Sequence, residues 1–285
     1  MPAARYLGVD LYTQTSYELS RALTLRYSTS FSASTELFDK SIRTHIFAIY
    51  GLVRIADEIV DTYDGPDKKK LLDDIESETY TAIQSGYSTN PIVHSFAQTA
   101  RIFAISDSLI KPFFASMRMD ITPQHYTEKT YKKYIYGSAE VIGLMCLRVF
   151  TAGNDKEYDL LARGAMALGA AYQKVNFLRD IASDFNDRQR VYFPGVSFGS
   201  FDDQAKDNII FDIESDFKKG HASIVNLPPT ARRAVELSYN YYYELLKKLR
   251  ATPATTLKQQ RVRVSNVRKL ILRFAVLVPL AKRAG

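Results

Sequence analysis

The sequence predicts a single all-α domain. Apolar residues recur at helical spacing in one segment after another, and no segment alternates as strands joined by hairpins do. Short breakers rich in Gly, Pro, Ser and Asn separate these segments, and none is long enough to divide domains. The 285 residues, 46% hydrophobic and 24% charged, are enough to bury one sizeable core. We therefore predict one helical domain over residues 1–285.

Helical spacing marks about ten segments in chain order. The predicted helices cover residues 15–34, 41–63, 68–85, 91–104, 107–119, 128–151, 156–186, 203–221, 229–250 and 262–280. The breaks between them are YDGPD at 63–67, SGYSTNP at 85–91, ITPQ at 121–124, AGND at 152–155, YFPGVSFGS at 192–200 and NLPPT at 226–230. Each break holds a Gly or Pro, which disfavours continuing the helix through it.

The chain is basic, with a formal net charge of +7 and a pI of about 9.2. This balance suits nucleic acid, an anionic membrane surface or a phosphorylated substrate, and does not choose among them. Cys146 is the single cysteine, which excludes an intrachain disulfide framework and fits a reducing compartment. The N-terminus lacks the apolar core of a signal peptide, and the apolar run at 274–281 is too short to span a bilayer. We therefore expect a cytoplasmic protein.

Two of the predicted helices carry a polar stripe among apolar neighbours. In each, four polar side chains recur at helical spacing and fall within roughly 60–80° of arc. The stripes are Tyr50, Arg54, Asp57 and Asp61 in helix 41–63, and Gln173, Asn176, Asp180 and Asp184 in helix 156–186. Burying such a face is costly unless cations or hydrogen-bonding groups meet it. The stripes are either solvated faces or the walls of a polar site, and their occurrence on two apolar helices favours the site.

Each stripe holds two carboxylates one helical turn apart, a spacing that suits Mg²⁺. This ion takes oxygen ligands and commonly combines one or two carboxylates with substrate phosphate oxygens. Two facing pairs could hold a small cluster of Mg²⁺ ions that binds a diphosphate, and Mn²⁺ accepts the same ligands. Arginines nearby are candidates for direct bidentate contact with the diphosphate. They are Arg54, Arg179, Arg261 and Arg263.

Other metal and nucleotide sites have no support in the sequence. A carboxylate-bridged di-iron bundle needs Glu-x-x-His pairs, and no histidine has a Glu three residues before it. The histidines are not spaced as zinc ligands, and we expect each to be an ordinary surface or core residue. Neither a Walker A loop nor a G-x-G-x-x-G fingerprint is present, so nucleotide binding is not predicted.

Five motifs follow one another in an order and spacing that resemble a known family. They are YSTSFS at 27–32, AIYGLVRIADEIVD at 48–61, YIYGSAEVIG at 134–143, QKVNFLRDIASDF at 173–185 and RVYFP at 190–194. From residue 17 to residue 270 the chain resembles the squalene/phytoene synthase family, and within it the bacterial phytoene synthases. The resemblance implies an all-α isoprenoid-synthase domain around a deep central cavity. Glu58 stands where the family more often has Asp, one position off the predicted metal-facing stripe, and we expect no consequence.

The resemblance also implies roles for individual residues, with the four aspartates and Tyr192 as the catalytic set. Mg²⁺, and the diphosphates through it, would be bound by Asp57, Asp61, Asn176, Asp180 and Asp184. The head of the first substrate would lie at Ser28, Ser30 and Phe31, and the diphosphates would be flanked by Tyr50, Arg54, Gln173 and Arg179. The cleft around the reacting carbons would be lined by Tyr134, Gly143 and Tyr192. The family's last tyrosine and arginine match Tyr242 and Arg261.

The activity that the resemblance implies is prenyl transfer. Two geranylgeranyl diphosphates would condense head to head, through cyclopropylcarbinyl (prephytoene) diphosphate, to phytoene in carotenoid biosynthesis. This implies Mg²⁺ as cofactor, no NADPH and no nucleic-acid partner. Two alternatives stay open: a squalene or dehydrosqualene synthase acting on farnesyl diphosphate, and a non-catalytic helical scaffold that binds prenyl lipids. The intact carboxylates at all four metal positions argue against the scaffold.

The C-terminal stretch 251–285 is basic and contains no acidic residue. Its cations are Lys258, Arg261, Arg263, Arg268, Lys269, Arg273, Lys282 and Arg283. Such a stretch can be a solvated face or can rest on anionic lipid. We keep peripheral contact with the inner face of an anionic membrane as a hypothesis.

Overall fold

The computed structural model describes residues 7–122, 125–188 and 190–277, and these residues contain helices and no strand. The α-helices are α1 (Leu7–Tyr27), α2 (Thr29–Thr35), α3 (Lys40–Asp61), α4 (Lys68–Ser85), α5 (Pro91–Phe103), α6 (Asp107–Met119), α7 (Glu128–Ile135), α8 (Val141–Phe150), α9 (Asp155–Arg179), α10 (Ile181–Arg188), α11 (Asp203–Ile224), α12 (Pro229–Ala251), α13 (Ala254–Leu257) and α14 (Asn266–Leu277). A π-helical segment, Tyr136–Glu140, joins α7 to α8. The predicted all-α class is confirmed. None of the described helices has the length and apolar content to cross a membrane.

Helix boundaries coincide with the prediction where strong cap residues are present. Helix α4 ends where Gly86 takes the left-handed conformation, with φ at 81°. Helix α5 begins with Pro91 at its first position, and the Asn90 side chain accepts hydrogen bonds from the next two backbone N–H groups. Both signals are local, so the sequence alone locates these ends.

Three predicted helices are divided in the structure. The helix predicted at 15–34 breaks at Ser28, whose extended backbone and hydroxyl cap α2. The helix predicted at 128–151 contains the π-helical segment, a local widening of the helix that hydropathy does not reveal. The helix predicted at 156–186 is interrupted at Asp180, which leaves helical geometry with φ at −100° and ψ at 10°. The second polar stripe is therefore not carried by one continuous helix, contrary to the prediction.

Helix α9 is central to the packing. It contacts α8, α11, α12 and the π-helical segment, and α3 packs against α1, α5 and α8. The largest fully buried side chains include Phe47, Phe96, Phe113, Phe114, Phe201 and Phe217. Because α3 ends at Asp61 and Asp180 directly follows α9, this core fixes the positions from which the two carboxylate pairs project.

Glycine allows α9 to approach α8 and the π-helical segment before it closely. A Cβ at Gly143 would lie 2.6 Å from the carbonyl oxygen of Ala165, and a Cβ at Gly169 would lie 2.5 Å from that of Ala139. A larger residue at either position would push the helices apart. The two contacts also show that α8 and α9 run antiparallel, so the end of α8 lies beside the start of α9.

Candidate active site

An elongated apolar cavity of about 240 Å³ lies between α2, α3, α8, α9 and α12. Its α9 wall is formed by Leu161, Ala165, Leu168, Gly169, Tyr172, Gln173 and Asn176, which share one face of the helix. From Leu161 to Asn176 this face rises about 22 Å. Asp180 follows one turn beyond Asn176, so one end of the cavity is next to the carboxylates.

The opposite end of the cavity is apolar. Phe38, in the turn between α2 and α3, stacks on Phe150 from α8, with ring centroids 5.1 Å apart and planes at 28°. Both rings line the cavity together with Leu161. A ligand that fits this space has a charged head at the aspartate end and a long hydrocarbon tail pointing toward the phenylalanine pair.

Two arginines form ion pairs with the carboxylates of α3. The Arg54 guanidinium contacts Asp57 at 2.7 Å and also pairs with Glu58. Arg190, from the loop after α10, donates to Asp61 at 2.6 Å across 129 residues of sequence. Glu58, which stands where the family more often has Asp, therefore pairs with Arg54, the same arginine that contacts Asp57.

The carboxylate of Asp180 also meets two guanidinium groups. Arg179 donates to both of its oxygens, at 2.9 and 2.5 Å, and Arg261 approaches within 2.7 Å. Asp184 lies one turn into α10 and is buried. The structure thus joins the end of α9 to the C-terminal stretch through Asp180.

The donor set fits a hard divalent cation in its chemistry. Asp57, Asp61, Asp180 and Asp184 offer carboxylate oxygens, and the amide oxygen of Asn176 is buried without a hydrogen-bond partner beside the cavity. Within the described residues no three Asp, Glu, His or Cys side chains converge on one point. The arrangement pairs carboxylates with guanidinium groups, and a shared Mg²⁺ cluster stays a prediction.

A cluster of positive charge surrounds the same end of the cavity. Burial, followed by repulsion from Arg179, lowers the pKa of Arg261, although Asp180 opposes the shift. Burial likewise lowers the pKa of Lys269, with Arg179 and Arg263 adding repulsion. The Lys269 ammonium also lies 3.3 Å from the Thr29 hydroxyl at the start of α2. Cations held this close to one another favour a polyanion such as diphosphate as their counter-charge.

Tyr134 and Tyr192 lie in a buried aromatic and polar network outside the cavity lining. The Tyr192 ring stacks on Phe177, with centroids 3.9 Å apart. The hydroxyls of Tyr134 and Tyr192 donate to the two carboxylate oxygens of Asp120, at 2.6 and 3.3 Å. Arg190 donates to the Asp120 carbonyl at 2.5 Å as well as to Asp61, so it ties this network to the candidate metal ligands.

The other predicted residues lie at the polar end or along the cavity. The cavity lining includes Phe31, Gly143, Gln173, Asn176 and Tyr242. Tyr50 stacks on Phe31 at 4.9 Å, and Tyr242 stacks on Tyr172 at 4.1 Å. Ser28 and Ser30 are at the start of α2, where the Ser28 hydroxyl accepts the backbone N–H of Phe31.

Sequence reasoning missed three charged residues of the site. Asp120 follows α6 and lies outside the five sequence motifs. Arg190 is the first residue of the motif RVYFP, but the sequence indicated no role for it. Lys269 is 240 residues from its contact Thr29. The only signal for Lys269 was its place in the basic C-terminal stretch, and nothing local indicated Asp120.

Comparison with known proteins shows the family and the fold of the chain. Residues 24–268 match the family model described as squalene/phytoene synthase. The chain is similar to solved structures of a dehydrosqualene synthase (TM-score 0.77, 18% identity, 94% of this chain and 97% of that one) and of a squalene synthase from Alicyclobacillus acidocaldarius (TM-score 0.73, 21% identity, 85% and 95%). At these identities the structural likeness shows the fold.

The chain is also similar in sequence to proteins named phytoene synthase and diapophytoene synthase. A phytoene synthase of Arthrospira platensis is 32% identical over 193 residues, 63% of this chain and 61% of that protein. A 4,4'-diapophytoene synthase of Staphylococcus haemolyticus is 24% identical over 258 residues, 82% and 87% of the two chains. The match thus spans about three fifths of the Arthrospira protein's length. Since the family model covers most of the sequence, the chain belongs to the squalene/phytoene synthase family, a family of prenyltransferases.

Proposed function

We propose that this prenyltransferase condenses two molecules of geranylgeranyl diphosphate head to head and releases phytoene and two diphosphates. The observation that carries the proposal is that the two ends of the cavity differ. Aspartates and arginines lie at one end, and the Phe38–Phe150 stack lies at the other. The similarity to the Arthrospira phytoene synthase supports the longer substrate.

The proposed cofactor is Mg²⁺, with Mn²⁺ as a chemical substitute. Asp57, Asp61, Asn176, Asp180 and Asp184 would hold it. When bound, the ion would supply positive charge to the diphosphate leaving groups. The unpartnered amide oxygen of Asn176 supports this assignment, because a buried oxygen without a donor is costly unless something electropositive meets it.

The protein's own residues would bind and orient the diphosphates. Arg179, Arg261 and Lys269 surround the polar end, and in a substrate complex their charges would be shared with phosphate oxygens. The half-buried Phe31–Tyr50 and Tyr172–Tyr242 pairs lie at the same end of the cavity. Their ring faces can stabilise positive charge on carbon.

In the proposed reaction, the first substrate loses its diphosphate and becomes an allylic cation. The double bond of the second substrate attacks that cation, and proton loss closes the cyclopropylcarbinyl diphosphate. Departure of the second diphosphate starts a rearrangement, which ends in loss of another proton and gives phytoene. Apolar side chains that line the cavity, among them Val53 and Leu168, would exclude water. The cations would therefore rearrange before water could hydrolyse them.

Farnesyl diphosphate is the second candidate substrate. The Staphylococcus relative is named a diapophytoene synthase and covers more of this chain than the Arthrospira protein does. The chemistry at the polar end would be the same, with a shorter tail in the cavity. The product would then be squalene or dehydrosqualene.

Direct competition tests the choice between the two substrates. The purified protein is given Mg²⁺ and equal concentrations of farnesyl and geranylgeranyl diphosphate, and the hydrocarbons are separated by mass. We expect phytoene to dominate by about tenfold or more, because burying the additional isoprene unit adds several apolar carbons to the contact. A mixture dominated by the farnesyl-derived hydrocarbon would assign the enzyme to the second candidate.

A further inference from the structure

Helix α14 exposes an apolar stripe on the side that faces away from the protein. Val267, Leu270, Ile271, Phe274 and Leu277 are all exposed, Val267 by 70% and Phe274 by 61%. At about 100° per residue these five positions fall within about 120° of arc. A contiguous exposed patch of large apolar side chains on a soluble fold marks an interaction surface more often than scattered single residues do.

The opposite face of α14 accounts for its attachment to the fold. Val276 is buried with Leu237 and Tyr241 of α12, and Leu272 packs against the same cluster. The Tyr241 hydroxyl donates to the Lys269 carbonyl at 3.2 Å. The helix is therefore anchored by one apolar face and presents a second one outward.

Basic residues border the exposed stripe on both sides. By helical angle, Arg268 lies beyond one edge of the stripe and Arg273 beyond the other. Both are half-buried, and Arg268 pairs with Glu244. An apolar face with arginines along its edges is the pattern of helices that lie in a membrane interface, where long basic side chains reach the lipid headgroups.

The positive charge of this region favours an anionic lipid surface over a second copy of the chain as the binding partner. Residues 251–285 contain eight basic residues and no acidic one. Two copies meeting through α14 would bring like charges together, whereas an anionic lipid surface would be attracted. Lys282 and Arg283, which the membrane hypothesis also included, lie outside the described residues.

We propose that the α14 stripe docks the enzyme on an anionic lipid bilayer. The same helix contacts the start of α2 through Lys269, next to the polar end of the cavity. Docking would thus hold the polar end of the cavity near the membrane, which dissolves both prenyl tails and a hydrocarbon product. The benefit of holding the cavity near the membrane rests on the proposed function, whereas the docking surface itself does not.

Vesicle co-sedimentation of the full chain tests the proposal. Vesicles of phosphatidylcholine alone are compared with vesicles that also contain phosphatidylglycerol, at low salt. We expect preferential binding to the anionic vesicles, and a loss of about tenfold or more in partition coefficient for the double variant Ile271→Asn/Phe274→Asn. The matched control is Phe211→Asn on α11, which removes a side chain that is 77% exposed elsewhere and should bind as the unaltered protein does.

Equal binding to both kinds of vesicle, or unchanged binding of the double variant, would overturn the proposal. So would a concentration-dependent dimer that the double variant abolishes while vesicle binding is absent, because the stripe would then be a contact between copies. Diphosphate release from detergent-dispersed substrate is measured in parallel and should be unaffected by the double variant. Vesicle binding without diphosphate release would reject the proposed function and leave the docking surface standing.

Discussion

Asp180→Asn is expected to keep the fold and to lower turnover by about a hundredfold or more. The change preserves shape and removes one negative charge from the proposed Mg²⁺ ligands, so several kcal/mol of stabilisation at the departing diphosphate would be lost. Because Asp180 pairs with Arg179 and Arg261 in the structure, the variant should also lose stability, by about 1 kcal/mol for such partly exposed ion pairs. Turnover is measured as diphosphate release at saturating Mg²⁺, and stability by thermal unfolding without metal.

Asp57→Asn should behave in the same way, since Asp57 belongs to the opposing carboxylate pair. Asp207→Asn on α11 is the matched control, because Asp207 is exposed and lies outside the cavity lining. We expect the control to retain turnover and stability. If either site variant turned over at a near-normal rate, the two polar stripes would be solvated faces and the metal site would be rejected.

Arg190→Met is expected to destabilise the protein by about 3–5 kcal/mol, the usual effect of removing one partner from a buried ion pair. Arg190 is 9% exposed and contacts Asp61, the Asp120 carbonyl and the Tyr192 hydroxyl. Denaturant unfolding gives the free energy. The exposed pair Arg21–Glu36 provides a control, and Arg21→Met should cost at most about 1 kcal/mol.

The destabilisation by Arg190→Met should also depend on pH through Asp120. Burial raises the pKa of the Asp120 carboxyl from its ordinary 3.8 to about 7, while the charge of Arg190 opposes the rise. A carboxyl with a raised pKa in the folded state stabilises that state fully at low pH, and the stability is lost as the pH rises through about 7. Removing Arg190 takes away the opposing charge, so the variant should be more strongly destabilised at pH 8 than at pH 5.

Adding Asp120→Asn to Arg190→Met should restore part of the lost stability at pH 8, because it removes the uncompensated carboxylate. An Arg190→Met variant that lost less than about 1 kcal/mol, with no change between the two pH values, would show that the network contributes little to the fold.

The sequence located those features that local chemistry determines. The bounds of α4 and α6 agree with the prediction to the residue, since Gly86 and the ITPQ break end helical periodicity at short range. The four aspartates were found because both carboxylate pairs repeat one helical turn within an apolar pattern. Periodicity carries that information without any tertiary contact.

The remaining features of the site depend on long-range contacts. The interruption at Asp180 is a change of backbone conformation, and hydropathy has the same period on both sides of it. Arg190 reaches Asp61, and Lys269 reaches Thr29, across 129 and 240 residues. Neither pairing leaves a local pattern, because the partners sit in unrelated helices and loops. The tyrosines of the predicted cleft likewise have their hydroxyls bound to Asp120, which no motif indicated.

The stoichiometry of the reaction tests the proposed function most directly. Purified protein is incubated with Mg²⁺ and geranylgeranyl diphosphate, without NADPH, and both diphosphate and hydrocarbon are quantified. We expect one phytoene for every two diphosphates released, no release after chelation of Mg²⁺, and no change on adding NADPH. Absence of diphosphate release would identify a prenyl-lipid scaffold instead of an enzyme, and a requirement for NADPH to form the final hydrocarbon would contradict the phytoene assignment.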